Sequence, residues 1–121
     1  MEPFELAERL ERGDVVLIDV RRHPGSEQIY GATRYDPRHL LEARRLVLPL
    51  PKHGEWPIVL YDQTGEGAEL ATIAAKFHES GYAPVLRLAG GFAGWKTAAR
   101  RVEELSLAQP IPGVEDQRLD R

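Results

Sequence analysis

Val15-Val16-Leu17-Ile18-Asp19-Val20 is an apolar run broken by one acid, with no alternation of apolar and polar positions. A strand wetted on one face alternates. An unbroken run belongs to a strand covered on both faces, which is the condition of a parallel sheet. Pro57-Ile58-Val59-Leu60-Tyr61 has the same character. Val85-Leu86-Arg87-Leu88 is a third strand, and Pro84 is tolerable at its first residue.

Helical periodicity fills the intervals. Phe4, Leu6, Ala7 and Leu10 make an apolar stripe over 3–12, with Glu5/Arg9 and Glu8/Arg12 paired on the wet side and Gly13 as the stop. Pro37 suits the first position of a helix over 38–46. Leu70, Ile73, Ala74 and Phe77 define a helix over 67–79, closed by Gly81, and a last helix runs from Phe92 to about Arg101. Arg21 to Glu27 reads as a loop, and 31–36 has room for a short strand. Strands alternating with helices give right-handed βαβ units. The expected fold is a single α/β domain over 4–100, a parallel β-sheet of four or five strands flanked by helices on both faces. Residues 106–121 read as a mobile C-terminal tail, suited to binding a partner.

Composition narrows the function. A chain of 121 residues is one domain's worth, and 42% hydrophobic with 29% charged residues fits a globular chain. No apolar run approaches the roughly 18 residues of a spanning helix. The acidic, amphipathic start is unlike a secretory signal, so a cytoplasmic location is the default expectation. Sixteen Lys and Arg against nineteen Asp and Glu leave a net charge of −3, without the clustered positive charge of a nucleic-acid binder. Arg21-Arg22, Arg44-Arg45 and Arg100-Arg101 read as solvated faces. His23, His39, His53 and His78 are scattered, without ligand spacing, and read as surface residues. Cysteine is absent, which excludes disulfides, thiolate metal sites and a cysteine nucleophile together.

In open parallel sheets, ligands bind beyond the carboxyl ends of the strands. Chemistry is therefore sought where the second long strand ends, in Asp62, Gln63, Thr64, Gly65, Glu66, Gly67 and Ala68. Backbone N–H groups of such a loop converge at a helix N-terminus and favour an anion.

Several further pieces share one pattern: Leu17-Ile18-Asp19-Val20-Arg21, Gly31-Ala32, Pro57-Ile58-Val59-Leu60-Tyr61, Gly81-Tyr82, Val85, and Leu88-Ala89-Gly90-Gly91 before Trp95. In this order and spacing they resemble a rhodanese (sulfurtransferase-like) domain. The resemblance implies that the residue after Tyr61 would be a cysteine carrying sulfur as a persulfide; here it is Asp62. An Arg usually found near position 67 is replaced by Gly67, and a Ser or Thr by Ala68. The His of a Gly-His-Ile-x-Gly-Ala step is replaced by Gln28.

A carboxylate is a poor nucleophile toward sulfur and holds no stable persulfide. The segment 58–75 carries Asp62, Glu66 and Glu69 and no Lys or Arg, so it repels an anionic substrate. The expectation is a catalytically inactive, non-catalytic binding or regulatory module without cofactor. Its partner is a protein or small molecule, and the acidic loop favours a positively charged one. Nucleic acid and membrane are not expected, and the chain is a monomer or homodimer.

Asp62 admits three roles. It is a permanent anion accepting the loop N–H groups, or a divalent-cation ligand with Glu66 and Glu69, or a nucleophile forming an acyl-phosphate. The last lacks a second acid two residues on and a nearby Lys. A sulfurtransferase-family enzyme with altered chemistry at Asp62 is the competing activity. Asp19 and Arg21 are supporting residues: Asp19 braces its neighbouring loop, and Arg21 is expected to pair with Asp62 or Glu66. Trp95 is core, Trp56 caps one end of the sheet, and Gly90-Gly91 serve positive φ or close approach to the loop.

Overall fold

The computed structural model describes residues 1–98 and the backbone of a strand at 102–104. Helix α1 (Pro3–Arg12) leads into β1 (Val16–Asp19), followed by β2 (Glu27–Ile29), β3 (Thr33–Arg34) and α2 (Pro37–Glu42). Then come β4 (His53–Tyr61), α3 (Ala68–Glu79), β5 (Ala83–Arg87), α4 (Gly91–Thr97) and β6 (Val102–Glu104). The main sheet has the order β3-β1-β4-β5, and every pair in it is parallel.

Both long apolar runs are central strands, as their lack of alternation requires. Ile18, Val20, Ile58 and Leu60 face one core, closed by Leu40 of α2 and by Leu70, Ile73 and Phe77 of α3. Leu17, Val59 and Tyr61 face the other, closed by Leu6 of α1 and by Phe92 and Trp95 of α4. Helices thus cover both faces of the four-stranded sheet. The α1 boundary is set as its sequence implies, with Gly13 left-handed at φ 73°.

Several boundaries move. The reading of Arg21 to Glu27 as loop overlaps the first residue of β2 and has no strand there; β2 pairs antiparallel with β6 in a separate two-stranded sheet. Helix α2 ends at Glu42 rather than 46. Ala43 is extended there, and Lys76 of α3 donates to the carbonyls of Leu40, Leu41 and Ala43. Such a cation satisfies the orphan carbonyls of a short helix. Strand β4 begins at His53, four residues before Pro57. Its register against β5 jumps from His53↔Ala83 to Ile58↔Val85, five residues against two. Helix α4 ends at Thr97, and the rest of the expected helix, like the 106–121 tail, falls outside the described residues.

Candidate functional site

β1 and β4 run side by side, pairing Asp19 with Tyr61, so their carboxyl ends open at the same level. The chain leaves Tyr61, turns through 62–67 and enters α3 at Ala68 with Gly67 as N-cap. The Asp62 carboxylate turns back into this loop. Oδ1 accepts the Gly65 N–H at 2.5 Å and Oδ2 accepts the Gly67 N–H at 3.2 Å. Each carboxylate oxygen therefore holds one amide of the cradle, the second at the helix N-terminus where negative charge is favoured. Thr64 Oγ1 accepts the Glu66 N–H at 3.3 Å and tightens the turn.

Helix α4 locks the loop from behind. The N–H groups of Phe92 and Ala93 donate to the carbonyls of Asp62 and Gln63 at 2.9 and 3.0 Å. Two glycines make that approach possible. Gly65 has φ 84°, and a Cβ on it would lie 2.9 Å from the Gly90 nitrogen and the Leu88 oxygen. Gly91 has φ 59°, and its Cβ would lie 2.7 Å from the Asp62 oxygen and the Gly65 nitrogen. Both needs anticipated for Gly90-Gly91 are met at once: φ is positive at each, and the backbones touch.

Under the loop lies a buried polar network. Asp19 is fully buried and Arg21 nearly so. Arg21 Nε donates to both Asp19 oxygens at 3.1 Å, and its Nη2 donates to Asp19 Oδ2 at 2.7 Å. The Tyr61 hydroxyl donates to Asp19 Oδ2 at 2.9 Å and accepts the Ile29 N–H at 3.1 Å. The Arg21 guanidinium lies 4.1 Å from the Phe92 ring centre, a cation–π contact. Arg34 donates to the Arg21 carbonyl at 2.8 Å and stands 3.7 Å from Asp19 Oδ1. Burial pulls the Arg34 guanidinium below its ordinary value against the pull of Asp19. Burial, with the Asp19 charge alongside, pushes the Tyr61 hydroxyl well up.

Two expectations about arginine are corrected. Arg21 does not pair with Asp62 or Glu66, and it is not on a solvated face. A carboxylate two residues away in the same strand end takes its fork, and the aromatic ring of Phe92 covers it. Arg22 is the one that reaches the site. Its guanidinium forms a two-point bridge to Glu69 in the first turn of α3, at 3.2 and 2.6 Å, which holds its ionisation above the ordinary value. Nothing local predicts that pair, because its members are 47 residues apart. Asp19 does brace its loop, accepting the Arg21 N–H at 2.9 Å.

The convergence of Asp62, Glu66 and Glu69 on a cation is also corrected. Both Asp62 oxygens face amides and Glu69 faces Arg22, so two of the three carboxylates are taken by partners other than a shared cation. No cluster of three metal-ligating side chains occurs among the described residues. Gln63, Thr64, Glu66 and Ala68 are exposed around the loop, and His23, His39, His53 and His78 are exposed elsewhere. The site is thus a set of backbone donors already satisfied by a resident carboxylate, rimmed by Glu66 and the Arg22–Glu69 pair.

A profile of the Rhodanese-like domain family matches residues 2–98. Among solved structures, the chain is similar to a full-length protein from Lactobacillus plantarum. The identity is 24% over 87% of each chain, with a TM-score of 0.72. It is similar to the rhodanese-like domain of an Anabaena protein at 23% identity over 87% of this chain and 78% of that one, with a TM-score of 0.65. A rhodanese homologue from Thermus thermophilus is 23% identical over 78% of this chain and 97% of its own, with a TM-score of 0.59. At these identities the likeness is one of fold. No curated protein matches in sequence.

Proposed function

We propose that this chain, which belongs to the family of rhodanese-like domains and has no cysteine, is a non-catalytic member that acts as a binding or regulatory module. One observation carries the reading: the Asp62 carboxylate occupies the cradle of Gly65 and Gly67 amides at the end of β4. Sulfur transfer needs a thiolate that attacks a sulfane sulfur and a cradle free to receive the persulfide anion. Here the position after Tyr61 carries an acceptor-only group, and the amides already have their acceptor. An incoming dianion such as thiosulfate also meets Glu66 and the carboxylate itself. The same charges favour a cationic group on a protein or small molecule as the ligand of the loop.

The test has two arms. Incubated with thiosulfate and cyanide, the full chain is expected to form thiocyanate no faster than buffer. Asp62→Cys is expected to add little, because no cation replaces the one absent at Gly67. Enzyme-dependent thiocyanate formation by the unaltered chain would overturn the reading. In the second arm, calcium, magnesium and short basic peptides are titrated while the amides of 62–68 are followed by NMR. Shifts with the basic peptides support a recognition role for the loop; silence with them, or shifts with the metal ions alone, counts against it.

A further inference from the structure

β2 is tied inward at three points around the Asp62 loop. The Glu27 carbonyl accepts Arg21 Nη2 at 2.5 Å, and the Ile29 N–H donates to the hydroxyl of Tyr61, the residue before Asp62, at 3.1 Å. The Glu27 carboxylate accepts Lys96 Nζ of α4 at 2.6 Å. Helix α4 is the element whose Phe92 and Ala93 N–H groups hold the carbonyls of Asp62 and Gln63. Outward, β2 pairs with β6 in a sheet of two strands, in the register Glu27↔Glu104, Gln28↔Glu103 and Ile29↔Val102. Antiparallel ladders alternate between pairs that exchange N–H···O bonds and pairs that do not. The Glu27 carbonyl and the Ile29 N–H are spent on Arg21 and Tyr61, so Gln28↔Glu103 is the bonded pair.

Two strands of three residues make a marginal ladder, and such a unit opens at a lower free energy than the four-stranded sheet. β6 is the next element after α4 in the chain, so the ladder and the Lys96 bridge fasten the same helix to the same strand. Releasing β6 removes one of those two fastenings. The grip of α4 on the loop carbonyls then loosens, and with it the turn in which Gly65 and Gly67 donate to Asp62. We propose that the β2–β6 ribbon is a strap that sets how firmly α4 holds the Asp62 loop. As regulation of a binding loop, this rests on the recognition role proposed for 62–68. The coupling itself is measured with no ligand, so the two can fail separately.

The experiment is amide hydrogen exchange in the full chain, followed residue by residue by NMR. Glu103→Pro deletes the N–H that the ladder needs, and Glu103→Ala removes the same side chain while keeping that N–H. Glu103→Pro is expected to speed exchange roughly tenfold at the Gln28 amide and about threefold at the Phe92, Ala93, Gly65 and Gly67 amides. Ile73, in the core under α3, should not change. Glu103→Ala should leave the loop amides within about 1.5-fold of the unaltered chain. Lys96→Gln cuts the side-chain fastening and leaves the ladder, so it should speed the Phe92 and Ala93 amides about twofold with Gln28 unchanged. The proposal is overturned if Gln28 speeds and the loop amides do not, or if Gln28 does not respond to Glu103→Pro. It is equally overturned if Ile73 speeds as much as the loop, or if Lys96→Gln leaves Phe92 and Ala93 unchanged. Basic peptides that fail to bind while the exchange rates behave as expected would overturn the recognition role and support the strap.

Discussion

At the scale of single residues, the decisive fact is where charge is buried. Asp19 and Arg21 lie under the loop with Tyr61 completing the set. A sequence reader places arginine at the surface because guanidinium groups are rarely buried unless paired. The pair was legible only as an acid and a base two positions apart at a strand end. Tyr61→Phe would leave the Ile29 N–H without its acceptor and Asp19 without one donor, and should cost about 1–3 kcal/mol in urea unfolding at pH 7. The same hydroxyl sets a pH signature. Its ionisation is raised in the folded chain, so its stabilisation is complete below the unfolded value of about 10 and is lost as pH rises toward the folded one. The gap between the native chain and Tyr61→Phe should therefore narrow above pH 10. A gap that widens there would contradict the network.

Among the elements, α2 shows how little sequence is needed when both ends are held. Six residues form no stable helix alone. Asp36 caps its start, accepting the Arg38 N–H at 2.9 Å, and Lys76 closes its end from α3. Burial pushes the Asp36 carboxyl up, but hydrogen bonds from the Arg38 side chain and N–H outweigh it and hold the group below its ordinary value. A lowered value means that the cap's contribution is present above the unfolded value of about 4 and lost as pH falls through the folded one. Asp36→Ala should cost about 1 kcal/mol at pH 7 and almost nothing near pH 2. Asp36→Asn should keep much of the cap with a flatter pH profile, both read by thermal unfolding. Pro37 marked the start of this helix in the sequence, whereas its early end did not show, because the cation that closes it comes from 33 residues away. β2 and β6 were hidden for a like reason: three-residue strands whose partners lie far apart in the sequence leave no local period to read.

Over the whole molecule, one sheet serves two cores, and its strands were the legible part. The runs at 15–20 and 57–61 announced central parallel strands, and from those the place of the loop beyond Tyr61 followed. What stayed unreadable was how distant pieces close around that loop, with Arg22 on one side and the first turn of α4 on the other. Shared strands also tie the two cores into one cooperative unit. Phe77→Ala, in the core under α3, should lower stability by about 3–5 kcal/mol. In a Trp56→Phe background, fluorescence from Trp95, in the opposite core, should report the same shifted midpoint as far-ultraviolet circular dichroism. Separate midpoints would mean that the faces melt apart.

One close distance ties two positions of the loop together. A Cβ at Gly67 would stand 2.6 Å from Asp62 Oδ2, so any side chain there must first dislodge the carboxylate from its amide. The two sites are coupled: whichever residue occupies 62 decides what fits at 67. A side chain can therefore be accommodated at 67 only after position 62 has changed.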